Sequence, residues 1–216
     1  WRVRGRVLDT TRHTLVMGVL NLTPDSFSDG GCYPDAAAAV RRGLEMLAEG
    51  ADLIDVGGES TRPGAAPVGA AEELQRILPV VQALAAAGAV VSVDTSKAEV
   101  AATVLEAGAA VINDVTALGE PEMAGVVARE GAGLVLMHMQ GTPRTMQDDP
   151  HYSDVLAEVS AFLLARAAAA TAAGISPEAI CLDPGIGFGK RLAHNLALLA
   201  GMPRLTLDVF IRANRL

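Results

Sequence analysis

Val90-Val91-Ser92-Val93-Asp94-Thr95-Ser96-Lys97-Ala98-Glu99 joins two kinds of pattern within ten residues. Val90–Val93 is short, continuous and rich in valine, as strands buried on both faces are. It stops at a carboxylate, Asp94. Ser96-Lys97-Ala98-Glu99 then reads as a capping box that starts a helix. Gly108 reads as the cap that ends it. A second apolar run, Val111-Ile112-Asn113-Asp114-Val115, follows. This is a strand–helix–strand unit, the building block of a parallel sheet.

The same unit recurs in both directions along the chain. Further strand candidates are Leu15–Leu20, Leu53–Val56, Leu134–Met137 and Ile180–Leu182. Between them lie helical stripes: Val40, Leu44 and Leu47; Leu74, Ile77, Leu78, Val81 and Leu84; Val155, Val159, Phe162 and Leu163. Pro121 stands where a first helical turn would begin. Gly50, Gly88, Gly131 and Gly174 each read as a helix stop. Such alternation fits a doubly wound sheet or a (β/α)8 TIM barrel, both of class α/β. The polar residues choose between them. Asn21, Asp55, Asp94, Asn113, His138 and Asp183 stand at or near the ends of successive strands. A barrel needs polar groups at the C-terminal ends of many strands, whereas an open sheet gathers them at one switch point. The expectation is a single barrel domain over residues 1–216.

Composition narrows the function. The chain is 50% hydrophobic and 19% charged, enough to build a large core and too apolar for disorder. A net charge of −8 argues against nucleic acid or an anionic membrane as partner. Its longest apolar runs are short or interrupted by charge, so no membrane span is expected. The start shows no signal peptide, and Cys32 and Cys181 make no disulfide framework, so the expected compartment is the cytoplasm. There are 15 arginines but only two lysines, Lys97 and Lys190, and both follow strand-end aspartates. Asn21 and Asn113 are two of four asparagines. Rare residues gathered at one end of a barrel mark a site.

Three loops are loaded with glycine, hydroxyl, amide and charge: Gly18–Gly31, Asp55–Gly64 and Asp183-Pro184-Gly185-Ile186-Gly187-Phe188-Gly189-Lys190. Backbone N–H groups in such loops can wrap a polar ligand. Gly185–Lys190 is not a nucleotide phosphate loop, because the gap before Gly-Lys is wrong and Arg191 follows. Here the chain resembles the dihydropteroate synthases, a family of pterin-binding enzymes. Ser92–Lys97, Ile112–Val115 and Leu136-Met137-His138-Met139-Gln140-Gly141 extend the match in order from about Val16 to Leu199.

That resemblance implies a transferase of folate biosynthesis. It would join 7,8-dihydropterin-6-ylmethyl diphosphate to 4-aminobenzoate and release diphosphate, with Mg2+ as cofactor. It further implies that Asp183, Asp94 and Asn113 hold the pterin edge. Met137, Gly187 and Phe188 would surround the ring. Asn21 would contact the Mg2+–diphosphate unit. Pro24, Asp25 and Phe27 would close over the amine, and Ser60, Thr61, Arg62 and Pro63 would cradle diphosphate or 4-aminobenzoate. A homodimer is also implied. The family's Ser-Arg-Lys and Arg-x-His motifs are not found, so the last one or two β/α units are expected to be missing or unrecognisable. Leu207–Ile211 is the candidate for a seventh strand. Two other readings compete: a truncated pterin-binding module of low activity, and a methyltetrahydrofolate methyltransferase domain. The Thr23–Phe27 and Ser60–Arg62 stretches favour the synthase over the methyltransferase.

Overall fold

The computed structural model describes residues 1–11, 13–23, 35–60 and 66–214. A short antiparallel hairpin, β1 (Arg2–Val3) and β2 (Arg6–Val7), comes first. Six parallel strands follow: β3 (Met17–Asn21), β4 (Leu53–Gly57), β5 (Val91–Asp94), β6 (Val111–Asp114), β7 (Gly133–Met137) and β8 (Ile180–Asp183). Each lies within a residue or two of its expected run. The helices are α1 (Ala36–Ala48), α2 (Ala70–Ala86), α3 (Ala98–Glu106), α4 (Met123–Glu130), α5 (Val155–Ala172) and α6 (Leu192–Asn214).

The strands pair strictly in chain order, from β3 to β8. A doubly wound sheet must reverse that order somewhere, and this one does not. The winding is that of a barrel with helices outside. Alternation along the strands divides the core in two. Ile54, Val56, Val91, Val93, Ile112, Leu134 and Leu136 pack outward against Ile77, Leu84, Val104 and Val127 of the helices. Fully burying each such side chain is worth about 1.5–3 kcal/mol. Leu53, Val111 and Val135 point the other way and pack with Val3, Trp1 and Cys181. The hairpin therefore seals the N-terminal end of the sheet. Trp1 Nε1 donates to Ala179 O at 2.9 Å, and Arg4 Nη1 donates to the carbonyls of Leu105 and Ala109.

Local signals fared unevenly. Asp35 and Asp154 cap α1 and α5 by accepting from the N–H groups of Ala37 and Ala157. Gly50, Gly88, Gly108, Gly131 and Gly174 close five helices, all with positive φ. The capping box at Ser96–Glu99 does not form. Lys97 occupies the cap position without a side-chain bond, and Glu120 Oε2 accepts from Ala98 N at 2.8 Å instead. A carboxylate brought in by the next loop displaces the local serine. Pro121 lies just ahead of the α4 cap, Glu122.

Leu207–Ile211 is not a strand, because α6 runs through it to Asn214. A short apolar run does not distinguish strand from helix by itself, and Pro203 suggested a break that the helix carries inside it. By length and composition α5 could cross a membrane. Here Val155, Val159, Leu163 and Ala170 are buried, and Arg166 binds the carbonyls of Ala117 and Leu118.

Candidate active site

The parallel register lays three expected residues along one rung. Asn21 pairs with Gly57, Gly57 with Asp94, and Asp94 with Asn113. On the neighbouring strands Met137 stands opposite Asp183. All lie at the C-terminal end of the sheet, where a barrel carries its chemistry. Asp55 sits lower, in the middle of β4 rather than at its end, opposite Ser92.

This cluster is deficient in donors. Asn113 Nδ2 donates to Asp55 Oδ2 at 3.0 Å. Asp55 Oδ1 and Asn113 Oδ1 are buried with no hydrogen-bond partner among the described residues. Native interiors leave few such atoms unpaired, and those that remain call for an explanation. Burial raises the Asp55 carboxyl above its ordinary range, against the pull of Ser92 and Asn113. Asp94 is raised further, first by burial and then by Asp55, Glu73, Asp114 and Glu59 around it. The sheet end is thus a pocket of acceptors under negative potential, suited to a ligand that brings N–H groups or positive charge.

Beside Asp94 stands a lysine. Lys97 Nζ donates to Glu59 and to the wholly buried Glu73. Burial works against the Lys97 charge, but the two carboxylates outweigh it and hold the ammonium above its usual value. Glu59 also accepts from Val68 N at 3.1 Å, so one side chain ties together both ends of the β4–α2 loop.

The loop from Asp183 to Lys190 is fixed from every side. Gly185 N donates to Asp183 Oδ1 at 2.7 Å. Gly187 gives its N–H to Asn195 Oδ1 and takes a bond from Gln147 Nε2 on its oxygen. Tyr152 OH donates to Gly189 O at 2.7 Å. Gly185 has φ +65°, and a Cβ there would lie 2.0 Å from His138 O, so only glycine allows this approach. Met137 Cγ would lie 3.2 Å from the same point. Burial first, opposed by Gly185 N–H and Lys190, leaves the Asp183 carboxyl raised.

Comparison with known proteins decides the family. Residues 17–211 match the model of the pterin binding enzymes. The dihydropteroate synthase of Escherichia coli K12 is 52% identical over 198 residues, which are 91% of this chain and 70% of that protein. That of Mycobacterium leprae is 50% identical over 88% of this chain and 68% of its own. The chain belongs to the dihydropteroate synthase family. Among solved dihydropteroate synthases, that of Yersinia pestis with a sulfonamide drug complex superposes with a TM-score of 0.89. It is 49% identical, over 95% of this chain and 75% of its own. The Xanthomonas albilineans enzyme in complex with 7,8-dihydropteroate superposes with a TM-score of 0.82 at 47% identity, over 95% of this chain and 73% of its own.

Of the residues that the dihydropteroate synthase resemblance singles out, Asn21, Asp94, Asn113, Met137, Asp183, Gly187 and Phe188 stand together at one end of the sheet. The backbone polar groups of Gly187 are already occupied, so its part is to shape the loop. Ser60 borders the site. Pro24, Asp25, Phe27, Thr61, Arg62 and Pro63 lie outside the described residues, as does Cys32. Sequence reading gave no role to Ser92, Glu59, Glu73 or Tyr152. Only the rarity of lysine pointed toward the supports beneath the loops.

Proposed function

We propose that this chain condenses 7,8-dihydropterin-6-ylmethyl diphosphate with 4-aminobenzoate to give 7,8-dihydropteroate and diphosphate. The observation that carries this reading is the unpaired Asn113 oxygen beside Asp94 at the sheet end, in a chain so similar to an enzyme solved with 7,8-dihydropteroate. A reduced pterin presents amino and ring N–H donors along one edge. Asp183, its loop already set, accepts from the 2-amino group and the adjacent ring N–H. Asn113 Oδ1 and Asp94 take the remaining edge. Met137 packs against a face of the ring and Phe188 near its rim.

Bond breaking then asks little of the protein as a nucleophile. The carbon–oxygen bond from the exocyclic methylene to diphosphate breaks, and its electron pair leaves with diphosphate. The electron-rich ring bears the resulting cation. The arylamine nitrogen forms the new bond to that carbon and loses a proton. Asp94 and its acidic neighbours supply negative potential where positive charge develops, and the loops orient the two reactants and exclude water.

The residues present fit Mg2+. A Cβ on Gly57 would lie 3.3 Å from Asn21 Oδ1 and 3.8 Å from Asp94 Oδ2, so the glycine leaves a small cradle beside two hard oxygen donors. No group of three acidic, histidine or cysteine side chains suited to a metal occurs among the described residues. Asn21 would hold the ion jointly with the diphosphate, and the bound ion would supply neutralisation of the leaving group's charge. Thr61 and Arg62 are the proposed protein partners of diphosphate or 4-aminobenzoate, with Ser60 and Pro63 flanking them. Pro24, Asp25 and Phe27 are the proposed cover of the amine. A homodimer is proposed as well, supported by the exposed Leu192, Leu196 and Leu199 along one side of α6. A cytoplasmic location is in keeping with the free thiol of Cys181.

The test is product formation from both substrates with Mg2+, followed by separation of 7,8-dihydropteroate and assay of diphosphate. Formation that needs all three components supports the reading. A folded protein that binds neither pterin nor 4-aminobenzoate overturns it.

A further inference from the structure

The reading above leaves one nearly buried ion unused. Lys190 is 3% exposed, and among the described residues its ammonium bonds only to neutral acceptors. Its Nζ lies 2.8 Å from Phe188 O, 3.1 Å from His138 O and 3.1 Å from His138 Nδ1. These bonds run to neutral acceptors on two different segments: the loop after β8 and the end of β7. Burying an ammonium is costly unless hydrogen bonds or an opposite charge offset the lost hydration. Asp183, at the base of the same loop, is the carboxyl that feels the ammonium charge.

We propose that Lys190 is a positioning residue of the pterin site: its ammonium staples the Phe188 and His138 carbonyls together and sets a positive charge behind the loop that carries Asp183. This rests on the pterin reading and deepens it. The staple fixes Phe188 relative to Met137, since His138 follows Met137 directly. It also explains the neutral histidine. With Lys190 donating to Nδ1, His138 carries its proton on Nε2, and its ring packs edge-on to Phe162 at 5.0 Å. Burial and the nearby Lys190 charge bring the His138 pKa down to about 4. Burial brings Lys190 down to about 8, opposed by Asp183. The charge on Lys190 is therefore present at neutral pH and below, where Asp183 must be ionised to accept two hydrogen bonds. The other titratable groups near this pair are His138 just after β7, Cys181 on β8, Tyr152 just before α5 and Glu158 in its first turn.

The experiment measures 7,8-dihydropteroate binding by calorimetry from pH 4.5 to 8 in the full chain, Lys190→Met and Lys190→Gln. Gln keeps N–H donors for the carbonyls but removes the charge, so it remains informative if Met does not fold. Ionisation of the ligand is common to all three proteins and cancels. Without the charge, the Asp183 pKa rises further, so the acid limb of the affinity profile moves to higher pH. Binding at mildly acidic pH falls roughly tenfold or more, because an opposite charge nearby shifts a carboxylate by about one pK unit or more. A purely structural lysine would weaken binding equally at every pH. A folded Lys190→Gln protein with a wild-type acid limb overturns the proposal. A wild-type chain that binds no dihydropteroate overturns the pterin reading instead.

Discussion

Asp55 dictates which way Asn113 faces. The Asn113 amide nitrogen lies 3.0 Å from Asp55 Oδ2, and a carboxylate can only accept, so the amide must turn its nitrogen downward. Its oxygen is left as a buried acceptor without a partner among the described residues. Asp55 thereby sets the hydrogen-bond polarity of the asparagine beside it.

Asp55→Asn tests this directly. An amide at position 55 can donate or accept, so Asn113 would no longer be held in one orientation. Affinity for a pterin should fall by about tenfold, the weight of one hydrogen bond to a charged group at the low end. Stability without ligand should hold or rise by about 1 kcal/mol, since a buried carboxylate is removed. Paired calorimetric titration and denaturant melts check it. Unchanged affinity would show that Asn113 is oriented by something else.

Asp183→Ala should abolish pterin binding. Removing one partner of a buried charge-assisted pair costs on the order of 3–5 kcal/mol. The titration should show no heat while the melt remains cooperative. Near-native affinity would take Asp183 out of the site.

Asp94 gives a pH signature. Its carboxyl is raised in the folded protein by burial and by Asp55, Glu73, Asp114 and Glu59, while in the unfolded chain it titrates near its ordinary value of 3.8. The folded state therefore binds the proton more tightly. That contribution to stability is full below the unfolded value and is lost as pH rises through the folded one. Asp94→Asn should be more stable than wild type at neutral pH, and the gap should close as pH falls toward 4. Melts at a series of pH values measure it, and a gap independent of pH would contradict it. Pterin binding should weaken in the same variant.

Gly185→Ala probes the loop. The added carbon would meet His138 O at 2.0 Å in a backbone of φ +65°, so the loop must move. Because Asp183 and Phe188 flank it, pterin affinity should fall well over tenfold, with a loss of stability of about 1–3 kcal/mol for the strained backbone. Wild-type affinity would mean that the Asp183–Lys190 loop can shift without disturbing the site.

The strands were legible because burial on both faces writes them as valine-rich runs, and Val90–Val93 is the plainest. The inner rung was legible because Asn21, Asp94 and Asn113 interrupt otherwise apolar strands. Ser96 misled because its rival, Glu120, lies 24 residues away, and no local rule sees a cap delivered by another loop. Leu207–Ile211 misled because strand and helix share the same short apolar run. Lys190 stood out by rarity alone. That its ammonium lies under Phe188 follows from the turn made by Gly185, Gly187 and Gly189, which composition does not show.

The floor of the sheet sets an order of events in synthesis. Neighbouring strands pair in chain order, so each β/α unit can dock on the one before as it leaves the ribosome. The hairpin cannot finish its own docking so early, because Trp1 bonds to Ala179, 178 positions later. Val3 meanwhile presses where a side chain at Gly133 would stand, 2.5 Å from the absent carbon. The bottom of the barrel thus closes late, once β7 and the turn before β8 have emerged. Trp1 is the sole tryptophan, so nascent chains halted before and after Ala179 should differ in indole emission, and that colour change times the closure.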